Sequence, residues 1–117
     1  MHNFKELKVW KQGMEIAKNS YLITKAFPAE ERYGLTSQMN RSAVSIPSNI
    51  AEGCGRKSTK ELYHFLNIAL GSAFELETQL ILSFDFGFIK EERFTKISSD
   101  ICETQKMIVG LQKSLNI

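Results

Sequence analysis

Cysteine, proline and histidine are scarce in this 117-residue chain, with two of each. Cys54 and Cys102 form no Cys-x-x-Cys pair and have no histidine pair beside them. That spacing argues against a zinc site or a disulfide framework, and leaves two reduced thiols, buried or half-buried, as the expectation. The only prolines are Pro28 and Pro47, no Asn-Gly or Asp-Gly turn occurs, and apolar and polar residues never alternate for long. Sheets are therefore not expected, and helices throughout are. An excess of one charge is also missing: 15 Lys+Arg against 13 Asp+Glu leave a formal net charge of +2. Total charge does not announce a nucleic-acid binder, so a basic site has to come from local clustering. Glu75, Glu77 and Asp85 interrupt the most apolar stretch, and Met1 to Glu6 lack the basic-then-apolar layout of a signal peptide. The expectation is a cytoplasmic protein without a membrane span or anchor.

What the chain has is hydrophobicity at helical spacing. Its length suits one domain, 1–117, large enough to bury a core without staples. Leu7, Trp10, Met14, Ala17, Tyr21 and Thr24 step by 3 and 4 alternately, a heptad seam that ends at Phe27-Pro28 and defines a first helix. Leu35, Met39, Ala43, Ile46 and Ile50 keep a helical period up to Gly53, although Pro47 removes an amide hydrogen bond in mid-pattern. This reads as one helix bent near Pro47. Ser58-Thr59-Lys60-Glu61 is a capping box that starts a third helix, which runs to about Asp85 and ends at Gly87. Phe94, Ile97, Ile101, Thr104, Ile108, Leu111 and Leu115 give a last helix from about Glu91. Four helices joined by short loops at 28–34, 54–57 and 87–90 pack most simply as an all-α, antiparallel up-down four-helix bundle.

Apolar residues exceed what one such bundle buries. With Leu7 at position a, Val9, Ile16 and Ile23 recur at position c, which faces water in a simple bundle. The third helix carries Phe65, Leu66, Ile68, Leu70, Phe74, Leu76, Leu80, Ile81 and Leu82 around nearly its whole circumference. A helix apolar all round must be covered on more than one side, so self-association through helices one and three is expected, with Val9, Ile16, Ile23, Phe74 and Ile81 as the candidate interface.

Catalytic groupings are thin. Glu61-Leu62-Tyr63-His64 has the Glu-x-x-His form of a di-iron ligand pair, but such a site needs a second copy and two further carboxylates. The other histidine, His2, sits at the N-terminus, so a surface histidine and no metal are expected. Gly53-Cys54-Gly55-Arg56-Lys57-Ser58-Thr59 superficially resembles a phosphate-binding loop, yet Arg56 separates Gly55 from Lys57 and a helix precedes it, so no nucleotide hydrolysis is expected. Even so, the opening amides of the third helix converge with Arg56, Lys57 and Lys60 on one corner that either attracts a phosphate or is merely a cap with solvated cations. Arg41, on the helix entering this loop, is a candidate extension of that patch. Lys11, Lys18 and Lys25 form a second basic row at heptad spacing. Glu75 and Glu77, two apart on a helix, point to different faces and do not form a catalytic pair. No enzyme and no cofactor are implied.

The run from Tyr33 to Gly53, with Ser45-Ile46-Pro47-Ser48-Asn49-Ile50-Ala51-Glu52-Gly53 at its core, resembles the signature of the four-helix bundle family first named for proteins encoded in intervening sequences of bacterial 23S rRNA genes. Phe4 to Trp10 is similar to the family's opening, Phe27-Pro28 to its first turn, and Gly71-Ser72, Glu75-Leu76 and Gln79-Leu80 to its third helix. The resemblance implies an antiparallel bundle that assembles as a homopentameric ring in the bacterial cytoplasm. It extends to the accessory protein of diversity-generating retroelements, a basic pentamer that binds nucleic acid and a reverse transcriptase. Arg41, Ser45, Asn49 and Glu52 match the family's polar positions, and their spacing puts them on one stripe of the second helix. Such a stripe beside Pro47 is either a binding surface or a set of partners for backbone groups the proline frees, and the structural role is the expectation for Ser45, Pro47, Asn49, Glu52 and Gly53. The function expected from the whole sequence is a non-enzymatic homopentamer whose Arg41, Arg56, Lys57 and Lys60 bind RNA or DNA phosphates with little sequence preference. The rival expectation is a scaffold for a protein partner, such as a reverse transcriptase, without a direct nucleic-acid role.

Overall fold

Four long helices carry the chain: α1 (Lys8–Thr24), α2 (Leu35–Cys54), α3 (Thr59–Asp85) and α4 (Glu91–Ser114). The computed structural model describes residues 3–117, among which there is no strand and the only other helical pieces are 3-10 turns at Phe4–Glu6 and Ala29–Glu31. Each helix packs on its sequence neighbours and α4 returns to α1, closing a four-helix bundle of 43 × 24 × 20 Å. The α2–α3 seam is the most extensive.

Local chemistry sets the helix ends. The Ser58 hydroxyl accepts the Glu61 amide at 3.1 Å and donates to the Glu61 carboxylate at 3.0 Å, so the capping box forms with the carboxylate reaching the hydroxyl. At the far end of α3, Gly87 takes φ +80°. The Phe88 amide then donates to the Ser83 carbonyl and the Gly87 amide to the Phe84 carbonyl, each at 2.9 Å, a Schellman ending that only a residue tolerant of positive φ accepts cheaply. Phe27 is buried after α1 and meets Phe88 with ring centroids 5.5 Å apart, which fastens the first loop to the third. Glu91 and Glu92 open α4 and Lys113 lies in its last turn, each matched to the sign of the helix dipole there.

The seams read from the sequence for α2 and α4 are core. Met39, Ala43, Ile46 and Ile50 are buried, as are Ile97, Ile101, Thr104 and Ile108, against Leu62, Leu66, Ala69, Ala73, Leu76 and Leu80 of α3. Helix α1 is the exception, because its two apolar stripes exchange roles. Val9, Ile16 and Ile23 face the core, so they are corrected from candidate interface to interior. Trp10, Met14 and Ala17 are half-buried, and Tyr21 is 51% exposed. The reason lies in the small residues between Val9, Ile16 and Ile23. Gly13 and Ser20 complete the stripe at steps of 4 and 3, and both are buried. They add no hydrophobicity, but they let α1 approach α2 closely.

That approach involves Pro47. It lies inside α2, which is helical without a break from Leu35 to Cys54, and its ring is buried. A Cβ on Gly13 would stand 3.4 Å from Pro47 ring carbons and 3.3 Å from Ile46 Cγ2, so the two helices meet at a glycine against a ring. A proline in a helix interior removes a hydrogen bond and costs about 3 kcal/mol, which this α1–α2 contact helps to offset.

Candidate functional site

The corner at the start of α3 gathers three of the four cations expected to bind phosphate, Arg56, Lys57 and Lys60. Lys57 and Lys60 are exposed and have no ion-pair partner among the described residues. Arg56 is held instead. Its Nη2 donates to Glu52 Oε2 at 2.9 Å, one helical turn back, and its guanidinium lies over the Phe65 ring at 4.7 Å from the centroid. A stacked and paired arginine is less free to reach a ligand than the two lysines. Of the opening amides of α3, that of Glu61 is taken by the Ser58 hydroxyl and that of Leu62 by the Ser58 carbonyl. Those of Thr59 and Lys60 remain. Thr59 borders a notch of about 90 Å³ lined also by Gly53, Arg56, Lys57, Ser58, Leu62 and Leu115, and Lys60 lies outside its lining. The corner can take one small anion, at a local charge moderated by Glu52 and Glu61.

Arg41 does not belong to this corner. It is exposed on α2, 13 residues before Cys54, roughly 20 Å away at about 1.5 Å per residue. The extension of the patch through Arg41 is thereby corrected: a helix carries the residue away from the loop it leads into. His64 is exposed and edge-on to Phe65 at 5.4 Å, and the Glu61 carboxylate serves the cap. No cluster of three or more His, Cys, Asp or Glu placed to hold a metal occurs among the described residues. His2 lies outside them.

The signature residues of α2 do structural work. Asn49 Nδ2 donates to the Ser45 carbonyl at 2.8 Å and to Ser45 Oγ at 2.9 Å, and Ser45 Oγ lies 2.8 Å from Ser72 Oγ on α3. The chain Asn49–Ser45–Ser72 satisfies polar groups two residues either side of Pro47 and links α2 to α3. At Gly53 the two helices come close, since a Cβ there would stand 2.9 Å from both Leu62 Cδ1 and Phe65 Cβ. Glu52 pairs with Arg56. A second bridge at the other end of α2 was not singled out from the sequence. Ser20 Oγ donates to Asn40 Oδ1 at 3.0 Å, and Asn40 Nδ2 donates to Thr24 Oγ1 at 3.1 Å. Asn40 lies within the signature run, and Ser20 and Thr24 are four apart on α1, a pairing only the packed helices reveal.

Two further surface features were missed. The stripe of α1 left outside the core forms, with α2, an open apolar groove of about 710 Å³ lined by Trp10, Met14, Ala17, Tyr21, Leu22, Val44, Pro47, Ser48 and Ala51. Lys18 and Lys25 edge it, which gives the basic row of α1 a definite place. At the opposite end of the bundle from Arg56, a cleft of about 620 Å³ is bordered by Lys25, Lys90 and Arg93 together with Leu22 and Phe88. Lys90 and Arg93, three apart at the opening of α4, were the available signal; Lys25 is distant in sequence. The cysteines differ. Cys54 is buried, and loss of solvent pushes its thiol above the ordinary range, whereas Cys102 is exposed.

No helix among the described residues is long and apolar enough to cross a membrane. No curated protein matches the chain. A solved structure from Bacteroides thetaiotaomicron VPI-5482, described as a protein of unknown function from the S23 ribosomal protein family, is similar at 28% identity. The match covers 90% of this chain and 95% of that one, with a TM-score of 0.81. The sequence model of one family, described as 23S rRNA-intervening sequence protein, matches residues 5–110. With that match spanning nearly the whole bundle, the chain belongs to the 23S rRNA-intervening sequence protein family.

Proposed function

We propose that this protein is a non-enzymatic, self-assembling bundle, a ring of five copies, that offers one basic corner per subunit to nucleic-acid phosphates. The observation that carries the assembly is the breadth of apolar surface the bundle leaves open. Tyr21, Leu22 and Val44 lie at or beside the α1–α2 groove, and Ile68, Phe74, Ile81 and Leu82 lie on the outer face of α3, all between 39% and 52% exposed. Contiguous patches of this kind on a soluble chain mark contact sites. The cyclic order of helix neighbours supports an up-down course, and Pro47 is the place where α2 would bend. Lys57, Lys60 and the opening of α3 supply the phosphate-binding element, and repetition around a ring would add weak sites into useful affinity.

Fluorescence anisotropy of a labelled structured RNA, titrated at low and near-physiological salt, tests the phosphate reading. Salt-sensitive binding at micromolar concentration or tighter is expected, and Lys57→Ala with Lys60→Ala should weaken it and flatten the salt slope without dissolving the assembly. Absence of binding at low salt overturns it. A second reading, a scaffold for a protein partner such as a reverse transcriptase, is favoured by the Glu52–Arg56 pair, which lowers the free charge of the corner.

A further inference from the structure

The two uncovered apolar surfaces differ in shape, and they match in length and in charge. One is concave, the groove between α1 and α2. The other is convex, the outer face of α3, where Ile68, Phe74, Ile81 and Leu82 stand exposed around Gly71 and Thr78. From Trp10 to Lys25 the groove runs about 22 Å along α1, and from Ile68 to Leu82 the ridge runs about 21 Å along α3, at about 1.5 Å per residue. Lys18 and Lys25 edge the groove. Glu75 and Asp85 are exposed on α3 beside Phe74 and Ile81. Gly71 is compatible with such a contact. It is exposed in the middle of a 27-residue helix, and a Cβ there would meet nothing within 4 Å among the described residues. The bundle places nothing against that position, which leaves room there for the close approach of another backbone.

We infer that the α1–α2 groove of one copy receives the α3 ridge of a second copy, with Lys18 and Lys25 facing Glu75 and Asp85 across the contact. This rests on the self-assembly reading above and adds the pairing of surfaces to it. Because groove and ridge are different patches on different sides of the bundle, the contact is head-to-tail: each copy keeps one free groove and one free ridge, and a closed ring satisfies them all. A helix laid along the furrow between two others is the ordinary way helices bury an apolar stripe. The charged flanks would then fix its register and exclude a groove-to-groove pairing, in which Lys18 and Lys25 would meet their own kind.

A mixing experiment reads the pairing directly. Val44→Glu places a charge in the groove and Phe74→Glu places one on the ridge, both at exposed positions that leave the bundle core untouched. Each variant alone should be monomeric at a concentration where the unaltered chain is assembled, with affinity down on the order of a hundredfold for a charge buried in an apolar contact. An equal mixture should give a dimer and nothing larger, since only the intact groove of Phe74→Glu and the intact ridge of Val44→Glu remain to join. Circular dichroism verifies that both variants fold. Should either fail, Lys18→Glu with Lys25→Glu mixed with Glu75→Lys with Asp85→Lys tests the pairing through the rim charges: each should be monomeric alone, and the mixture should assemble beyond a dimer, since its native and its charge-reversed contacts are both complementary. Assembly of either variant alone, or a mixture that stays monomeric, overturns the groove-to-ridge pairing and leaves self-assembly standing. A monomeric unaltered chain overturns both.

Discussion

Substituting Gly53 by alanine should destabilise the bundle, against the usual benefit of alanine in a helix. The added Cβ would stand 2.9 Å from Leu62 Cδ1, 2.9 Å from Phe65 Cβ and 3.3 Å from the Leu62 carbonyl oxygen. Only the first of these belongs to the far end of a flexible side chain. Phe65 Cβ and the Leu62 carbonyl move only if α3 moves, so the substitution pries apart the most extensive helix seam in the protein. Overpacking of this kind costs about 1–3 kcal/mol. Alanine returns up to about 1 kcal/mol in a helix interior, and less in the last turn, where Gly53 sits. The net expectation is a loss of about 1–2 kcal/mol, or roughly 4–8 °C in Tm for a domain of this size. Urea and thermal unfolding followed by circular dichroism at one fixed protein concentration give the number. Gly110→Ala is the control, since nothing lies within 4 Å of its Cβ position among the described residues, and it should gain about 0.5–1 kcal/mol. If Gly53→Ala matches or exceeds the stability of the unaltered chain, the close α2–α3 approach is refuted as the reason for a glycine there.

Asn49→Ala should cost about 1–2 kcal/mol in urea unfolding, because it removes two part-buried hydrogen bonds to Ser45, whose hydroxyl keeps Ser72 as a partner. Ser45→Ala and Ser72→Ala should couple by more than about 0.5 kcal/mol in a double-mutant cycle, since their hydroxyls lie 2.8 Å apart. A disulfide reagent should label the exposed Cys102 promptly and Cys54 only on unfolding. Burial raises the Cys54 pKa from 9.0, so the folded chain holds that proton more tightly than the unfolded one, and its contribution to stability is full below pH 9 and falls as pH rises above it. Cys54→Ala should remove that part of the alkaline loss, as urea midpoints at pH 8 and above pH 9 would reveal.

Helix number, order and limits were legible because each helix has a clean period and chemically explicit ends, such as Ser58 with Glu61 and Gly87 after Asp85. The facing of α1 was not. Leu7, Trp10, Met14, Ala17 and Tyr21 outnumber Val9, Ile16 and Ile23, but the core side is chosen with Gly13 and Ser20, whose value is smallness and a hydroxyl within reach of Asn40. The three-cation corner was legible as a local run, while the Arg56–Glu52 pair and the Phe65 ring beneath it depend on how α2 hands over to α3. The α1–α2 groove was invisible for the same reason as the facing error: surplus apolar residues declared that a second surface existed, and only the packing of α1 decided which stripe it was.

Native mass spectrometry of the unaltered chain at micromolar concentration is the most direct test of the central claim. A ring of five predicts a species at five times the 13.3 kDa chain mass, with little smaller. A spectrum dominated by the single chain would contradict the account and leave the exposed apolar groove and ridge without a role.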